Sequence, residues 1–214
     1  TVPTAGTALV ANLPYNISVP VLLHFLESFS EIKKGLVLVQ AEVAHRLVAV
    51  PGSKTYGIPS LKLAWYATSH LAGNVGRNVF WPVPNVDSAL VYFERRSESL
   101  GSEELRLSVF EVVDSAFAQR RKTLRQALAG LMGSPAQVEQ LLAKVGIDPK
   151  LRGEQLDVGA AAVDDLAVLL EPHRDLRLGV GSLGHRVHLV ERQAGGVGHD
   201  LGTLPRRARR RDRS

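Results

Sequence analysis

Asn12-Leu13-Pro14-Tyr15 is the stretch of this chain best suited to chemistry. An apolar run, Leu9-Val10-Ala11, stops at it, and a helix start follows at Ser18. Asn12 offers a side-chain carbonyl acceptor. Pro14 has no N–H, so the turn presents carbonyls and not donors. Tyr15 supplies an aromatic face on which a base can stack. Two acceptors and a ring suit an exocyclic amine on a flat heteroaromatic molecule, and adenine is the leading candidate.

The elements that must position this stretch follow from patterning. Residues 7–12 read as a short buried strand. Ser18 is placed to cap the next helix, with Pro20 in its first turn. Leu22, Phe25, Leu26 and Phe29 fall on one helical face. Residues 35–40 read as a second buried strand and residues 41–49 as a short helix. The run from Pro51 to Gly57 has loop chemistry, and residues 59–67 have helical character. Strands alternating with helices predict a parallel sheet and an α/β fold. Phe80-Trp81-Pro82-Val83-Pro84 predicts an extended, donor-poor arm. Residues 88–94 continue as a strand, expected to be antiparallel, and residues 95–102 read as a polar linker. From Glu103 the pattern is purely helical, with an apolar stripe of Leu105, Val109, Val112, Val113, Ala116 and Phe117. Ser134-Pro135-Ala136-Gln137 is a capping-box start, and Gly146 ends that helix. Residues 159–171 predict one more amphipathic helix. The expected division is a partial catalytic domain at 1–97, a small all-α domain at 98–171, and a tail at 172–214.

Composition bounds the function. With 45% apolar and 22% charged residues the chain is ordinary globular protein. Cys is absent, which excludes disulfides, Cys-zinc sites and thiol catalysis. No run approaches the length of a membrane span, and no basic-then-apolar leader is visible. The expectation is a cytoplasmic protein, with the Asn16-Ile17-Ser18 glycosylation pattern a chance match. The net charge of +5 misleads as an average. Residues 172–214 hold ten Arg, no Lys and four acids, a net of +6, which leaves −1 on the remainder. The basicity belongs to the tail and not to the body. That tail also has seven Gly and four of the seven His, without sustained periodicity. It predicts disorder, or an end read out of frame from GC-rich DNA.

Three further strings stand in order behind the first. They are Phe80-x-Pro82-x-Pro84-x-Val86-Asp87-Ser88, Gln119-Arg120-Arg121-Lys122-Thr123, and Gly146-Ile147-Asp148-Pro149-x-x-Arg152-x-Glu154. Together with Asn12-Leu13-Pro14-Tyr15, they make residues 8–171 resemble the small-subunit ribosomal RNA adenine dimethyltransferases of the KsgA/RsmA type. Erythromycin-resistance rRNA methyltransferases and mitochondrial transcription factor B share the Asn-Leu-Pro-Tyr element, while the Asp87-Ser88 ending and the Gly146-Ile147-Asp148-Pro149 string are more similar to the KsgA branch. The resemblance implies a Rossmann-like methyltransferase sheet, here its C-terminal half, followed by a helical domain. It implies methyl transfer from S-adenosylmethionine to two adjacent adenosines near the 3′ end of 16S rRNA, within the small ribosomal subunit, by a monomer.

Under that resemblance the implied catalytic residues are Asn12, Leu13, Pro14, Tyr15 and Phe80. Asn12 and the Leu13 or Pro14 carbonyl would hold the amine hydrogens, Tyr15 would stack on one face of the base, and Phe80 is the candidate for the other. A core plug is the competing reading of Phe80. Asn12 is also the one expected contact to the methyl donor. Arg120, Arg121, Lys122 and Arg125 are candidates for phosphate contact, against the plainer reading of a solvated helix face. Gln40, Glu42, His45 and Arg46 match a family stretch whose role, structural or RNA-facing, stays open. No metal site is expected.

Gly179-Val180-Gly181-Ser182-Leu183-Gly184 has the dinucleotide-binding spacing but neither the strand before it nor the helix after it, so it is rejected. A methyltransferase of this type also needs a glycine-rich strand–loop–helix ahead of Asn12 to hold its donor. Only eleven residues stand there, so an N-terminally truncated chain is expected, with a bare sheet edge and most of the donor site missing. The alternative in a different class is a non-catalytic rRNA-binding or small-subunit assembly module.

Overall fold

Period-two alternation in two strands builds the centre of a sheet, and the rest of the chain packs around it. The computed structural model describes residues 7–156. The expected helix at 159–171, the glycine-rich decoy at 179–184 and the Arg-rich tail lie outside the described residues. The strands are β1 (Ala8–Asn12), β2 (Lys34–Gln40), β3 (Ala67–Val75) and β4 (Ser88–Arg95). The helices are α1 (Ser18–Ser28), α2 (Ala41–Leu47), α3 (Ile58–Tyr66), α4 (Glu103–Ala118), α5 (Leu124–Ala127), α6 (Ala129–Met132) and α7 (Pro135–Lys144).

The fold is α/β, with strand order β1-β2-β4-β3. Among the described residues β1 and β2 run parallel, and β4 is antiparallel to both β2 and β3. The antiparallel strand expected at 88–94 is β4, while the rest of the sheet, expected to be parallel, holds a second antiparallel pair between β3 and β4. The difference comes from the nine-residue β3, which the polar sequence Ala67-Thr68-Ser69-His70 concealed. A hairpin-like return from β3 to β4 needs no crossover helix.

On β2 and β4, Gly35, Val37 and Val39 alternate with half-buried neighbours, as do Ala89, Val91 and Phe93. Both sets point to one face and join Leu22 and Leu26 of α1 and Leu61 and Leu63 of α3 in a single core. Each leucine so buried contributes roughly 2 kcal/mol. The expected buried strand at 7–12 is instead an edge strand: Ala8, Val10 and Asn12 are exposed, Val10 at 77%. Among the described residues β1 pairs with β2 alone, which an apolar composition does not reveal.

Helix boundaries largely follow their cap chemistry. Ser102 accepts from Leu105 N at the start of α4. Ser134 and Gln137 bond each other's main-chain N–H at the start of α7, and Gly146, at φ +70°, turns the chain out of it. Ser18 is the exception. It is the first helical residue and no cap, and its hydroxyl donates back to the Tyr15 carbonyl. On α1, Leu22 and Leu26 are buried while Phe29 lies beyond the helix end and is exposed.

The supposed linker at 95–102 begins with two structural arginines. The Arg95 guanidinium donates to the carbonyls of Leu26, Phe29 and Ile32, closing the C-terminal end of α1. Arg96 does the same for Ala64 of α3. Unpaired last-turn carbonyls are natural acceptors for a guanidinium fork. Arg106 then fastens α4 to this layer. It is buried, pairs with Glu27 at 2.7 Å and with Glu103, and lies over the Phe110 ring at 5.0 Å. Its hydrogen bonds hold the Glu103 carboxyl below the usual range.

Tyr66 sits beside this cluster. Burial pushes its phenol up to about 12, with Arg106 pulling the other way. The unfolded phenol ionises near pH 10, so the folded chain binds the extra proton between there and about pH 12. This group leaves stability unchanged below about pH 10 and lowers it as pH rises through that window, by roughly 2 kcal/mol. Urea unfolding at about pH 9 and about pH 11 is expected to show a smaller alkaline loss for Tyr66→Phe than for wild type. Equal losses would remove Tyr66 as the source.

Candidate active site

The site forms where β1 and β2 end and β4 begins. In an open α/β sheet, ligands bind beyond the carboxyl ends of parallel strands. Asn12 is the last residue of β1, in register with Leu38, and its side chain is exposed. One residue on, Leu13 N donates to the Leu38 carbonyl at 3.0 Å, and the Leu13 side chain is buried at 5% exposure. Leu13 therefore reaches the site only through its main chain. The chain then turns: the Pro14 carbonyl accepts from Ile17 N at 3.2 Å, which occupies one of its two lone pairs. The helix α1 follows at once.

The facing wall comes from the segment between β3 and β4. A 3-10 turn, Arg77–Val79, leads into Phe80. Asp87 closes the segment at both ends of its own residue. Its carboxylate accepts from Arg77 N at 3.1 Å, and its main-chain carbonyl accepts from Ala41 N at 2.9 Å. Ser88, fully buried at the start of β4, shares a 2.7 Å hydrogen bond with the Tyr15 hydroxyl. That bond crosses the site and fixes the Tyr15 ring relative to the Phe80 arm. The Trp81–Pro82 peptide bond is cis.

The result is an open cleft of about 470 Å³, lined by Asn12, Leu13, Pro14, Tyr15, Phe80, Trp81, Pro82 and Pro84. The five residues expected from sequence to act together lie in it. Phe80 is half-buried on the cleft wall, so the core-plug reading does not describe it. The residues that sequence reasoning left without roles are Ser88, Asp87 and Trp81. The Asp-Ser pair stood in the quoted string, but nothing local showed that one residue closes the loop and the other holds Tyr15.

The basic residues lie elsewhere. Arg120 donates to the Lys54 carbonyl at 2.9 Å and Arg125 pairs with Glu139 at 3.2 Å. Arg121 and Lys122 are exposed in the same turn after α4. None of the four lines the cleft. The Gly146–Glu154 string serves this turn structurally. Leu124 N donates to the Leu151 carbonyl, Arg125 N to that of Pro149, and Gly52 N to that of Glu154. Of the family stretch on α2, Glu42 and Arg46 bind each other at 2.7 Å, His45 is exposed and Gln40 ends β2. Among the described residues no cluster of His, Asp and Glu could hold a metal. Also among these residues, no helix is long and apolar enough to cross a membrane.

A family model described as ribosomal RNA adenine dimethylase matches residues 4–162. The chain is 62% identical over 154 residues to ribosomal RNA small subunit methyltransferase A of Streptomyces coelicolor, which takes in 72% of this chain and 54% of that protein. The protein of the same name from Arthrobacter sp. is 58% identical over 160 residues, 75% of this chain and 54% of the relative. The chain thus spans about half the length of the curated relatives it matches. Among solved structures, a dimethyladenosine transferase from Plasmodium falciparum superposes with a TM-score of 0.63 at 23% identity, covering 81% of this chain and 69% of that one. The 23S rRNA methyltransferase ErmE gives 0.54 at 22% identity, over 79% and 67%. These two show the Rossmann-like fold, and the family match and the relatives near 60% identity show the rest: this chain belongs to the ribosomal RNA adenine dimethylase family.

Proposed function

We propose that the chain carries the adenine-binding cleft of an S-adenosylmethionine-dependent rRNA adenine dimethyltransferase. The observation that supports this most is the convergence of Asn12, the Leu13-Pro14 main chain, Tyr15 and Phe80 on one cleft. In this reading the adenine lies between the Tyr15 and Phe80 rings, and its exocyclic amine faces Asn12. The Asn12 carbonyl and the Leu13 or Pro14 carbonyl accept the two amine hydrogens. An adenine amine is a weak nucleophile because its lone pair is shared with the ring. Acceptors aimed at its hydrogens favour the pyramidal form and stabilise the positive charge that grows on nitrogen. When bound, S-adenosylmethionine supplies a methyl carbon on a positively charged sulfur, which departs with the C–S electron pair. The alkylated nitrogen releases its proton to water, so no strong general base is needed, and positioning does most of the work.

Asn12 suits the donor as well as the base. It is exposed at the carboxyl end of an edge strand, and its amide has both an acceptor and two donors. We assign it as this chain's contact to the donor. The finer assignment is to two adjacent adenosines near the 3′ end of 16S rRNA in the small ribosomal subunit, by a monomer in the cytoplasm. The names of the relatives support the rRNA and the small subunit. We further propose that residues 1–97 and 98–171 act as catalytic and helical domains. In the helical part, Arg121 and Lys122 contact phosphate, with Arg120 and Arg125 beside them.

The test is transfer of labelled methyl groups from S-adenosylmethionine to small subunits that lack the modification. The expected product is dimethylated adenine at two neighbouring positions. Label on another base would overturn the reading. Firm rRNA binding without transfer, with donor present, would favour a non-catalytic assembly role.

A further inference from the structure

The chain has two tryptophans, and they are used in opposite ways. Trp65 is buried at 4% exposure and packs edge-on against Phe110. Trp81 is 95% exposed, yet it stands on the wall of the cleft beside Phe80. Leaving an indole in water forfeits one of the largest burial contributions a side chain can make. Its surroundings hold it there. Pro82 and Pro84 fix φ on the following arm, and the Asp87 carboxylate closes the segment onto Arg77 N. The ring is presented on a stiff support, so little conformational freedom is lost when something stacks on it. Val79, Val83 and Val86, on the same segment, are also exposed, and Arg77 adds an exposed cation.

The occupant follows from continuity with the cleft. Tyr15 and Phe80 already provide two ring faces for one base. Trp81 lies next in sequence to Phe80, outside that pair and open to solvent. A polynucleotide that inserts one base brings its next base to the rim. We propose that Trp81 is a stacking platform for the nucleotide adjoining the target adenosine, a positioning residue that helps choose single-stranded or splayed RNA. This rests on the reading that the cleft takes an adenine. Stacking on an aromatic face tolerates any base, so Trp81 selects for an unpaired neighbour and not for its identity.

The experiment uses the full chain and short single-stranded oligoribonucleotides containing two adjacent adenosines. In one the target adenosine is replaced by fluorescent 2-aminopurine; in others 2-aminopurine occupies each flanking position. Wild type is expected to quench the probe at the target and at one flank. Trp81→Ala is expected to abolish flank quenching, keep target quenching and weaken binding about tenfold. Trp81→Phe should recover most of both, which a loss of fold would not allow. Target quenching with no flank response, and Trp81→Ala binding like wild type, would overturn the proposal alone, and would leave an apolar protein surface as the occupant of Trp81. No quenching at any position would overturn the proposal together with the stacking of a base between Tyr15 and Phe80, which needs no 6-amino group.

Discussion

Asn12→Ala is expected to slow methyl transfer by about 10²–10³-fold while RNA affinity changes by no more than about threefold. Asn12 is exposed at the end of an edge strand, so its amide supports little of the core and the variant should unfold like wild type. Its carbonyl matters where charge develops. A neutral amine hydrogen gains a modest bond in the ground state. As the nitrogen takes on positive charge the same bond becomes charge-assisted and roughly twice as strong. The loss therefore falls on the rate and not on RNA binding. Asn12→Asp keeps an acceptor and adds a negative charge beside the growing positive one, so it should retain far more activity than alanine. It gives up the amide donors, and any defect it shows should appear as weaker use of the methyl donor. Parallel rate and filter-binding measurements on the two variants check this. An alanine variant at wild-type rate would sink the mechanism. Equal losses in rate and RNA affinity would make Asn12 a binding residue.

What was legible in the sequence was local. The Asn12–Tyr15 turn announced itself because proline and a strand end leave signatures within four residues. The Ser134–Gln137 cap was readable for the same reason. What was hidden depended on partners far along the chain. Strand β3 escaped because Thr68, His70, Ala72 and Asn74 face outward on a sheet edge and carry no apolar alternation. Arg95 reads as a polar linker residue until its fork is seen on the carbonyls of Leu26, Phe29 and Ile32, more than sixty positions earlier. Arg106 interrupts an apolar helix stripe for a reason found on α1, at Glu27. At the site itself, the residue types of Tyr15 and Phe80 were enough to suggest stacking. The Tyr15–Ser88 bond, which fixes the ring, spans 73 positions and left no local trace.

The sheet that holds this site in place depends on one position without a side chain. Gly35 of β2 lies between Leu9 of β1 and Phe93 of β4. A Cβ built on Gly35 would stand 2.4 Å from the Phe93 ring and 2.7 Å from the Leu9 carbonyl oxygen. Phe93 is fully buried, and the second obstacle is main chain. Alanine therefore forces either the ring off its rotamer or β1 away from β2, and overpacking of this kind costs about 1–3 kcal/mol. We expect Gly35→Ala near the top of that range, as a lower urea midpoint with unchanged slope. Gly73 of β3 is the control. Nothing lies within 4 Å of its would-be Cβ, so Gly73→Ala should stay within about 0.5 kcal/mol of wild type. Phe93→Leu shortens the obstructing ring at its own cost in packing, and the pair Gly35→Ala with Phe93→Leu should lose clearly less than the two single losses added. Because β1 carries Asn12 at its end, displacing it also moves the acceptor. Gly35→Ala is thus expected to reduce methyl transfer under conditions where the chain is still folded, whereas additive stabilities in the pair would show that Phe93 does not pack over Gly35.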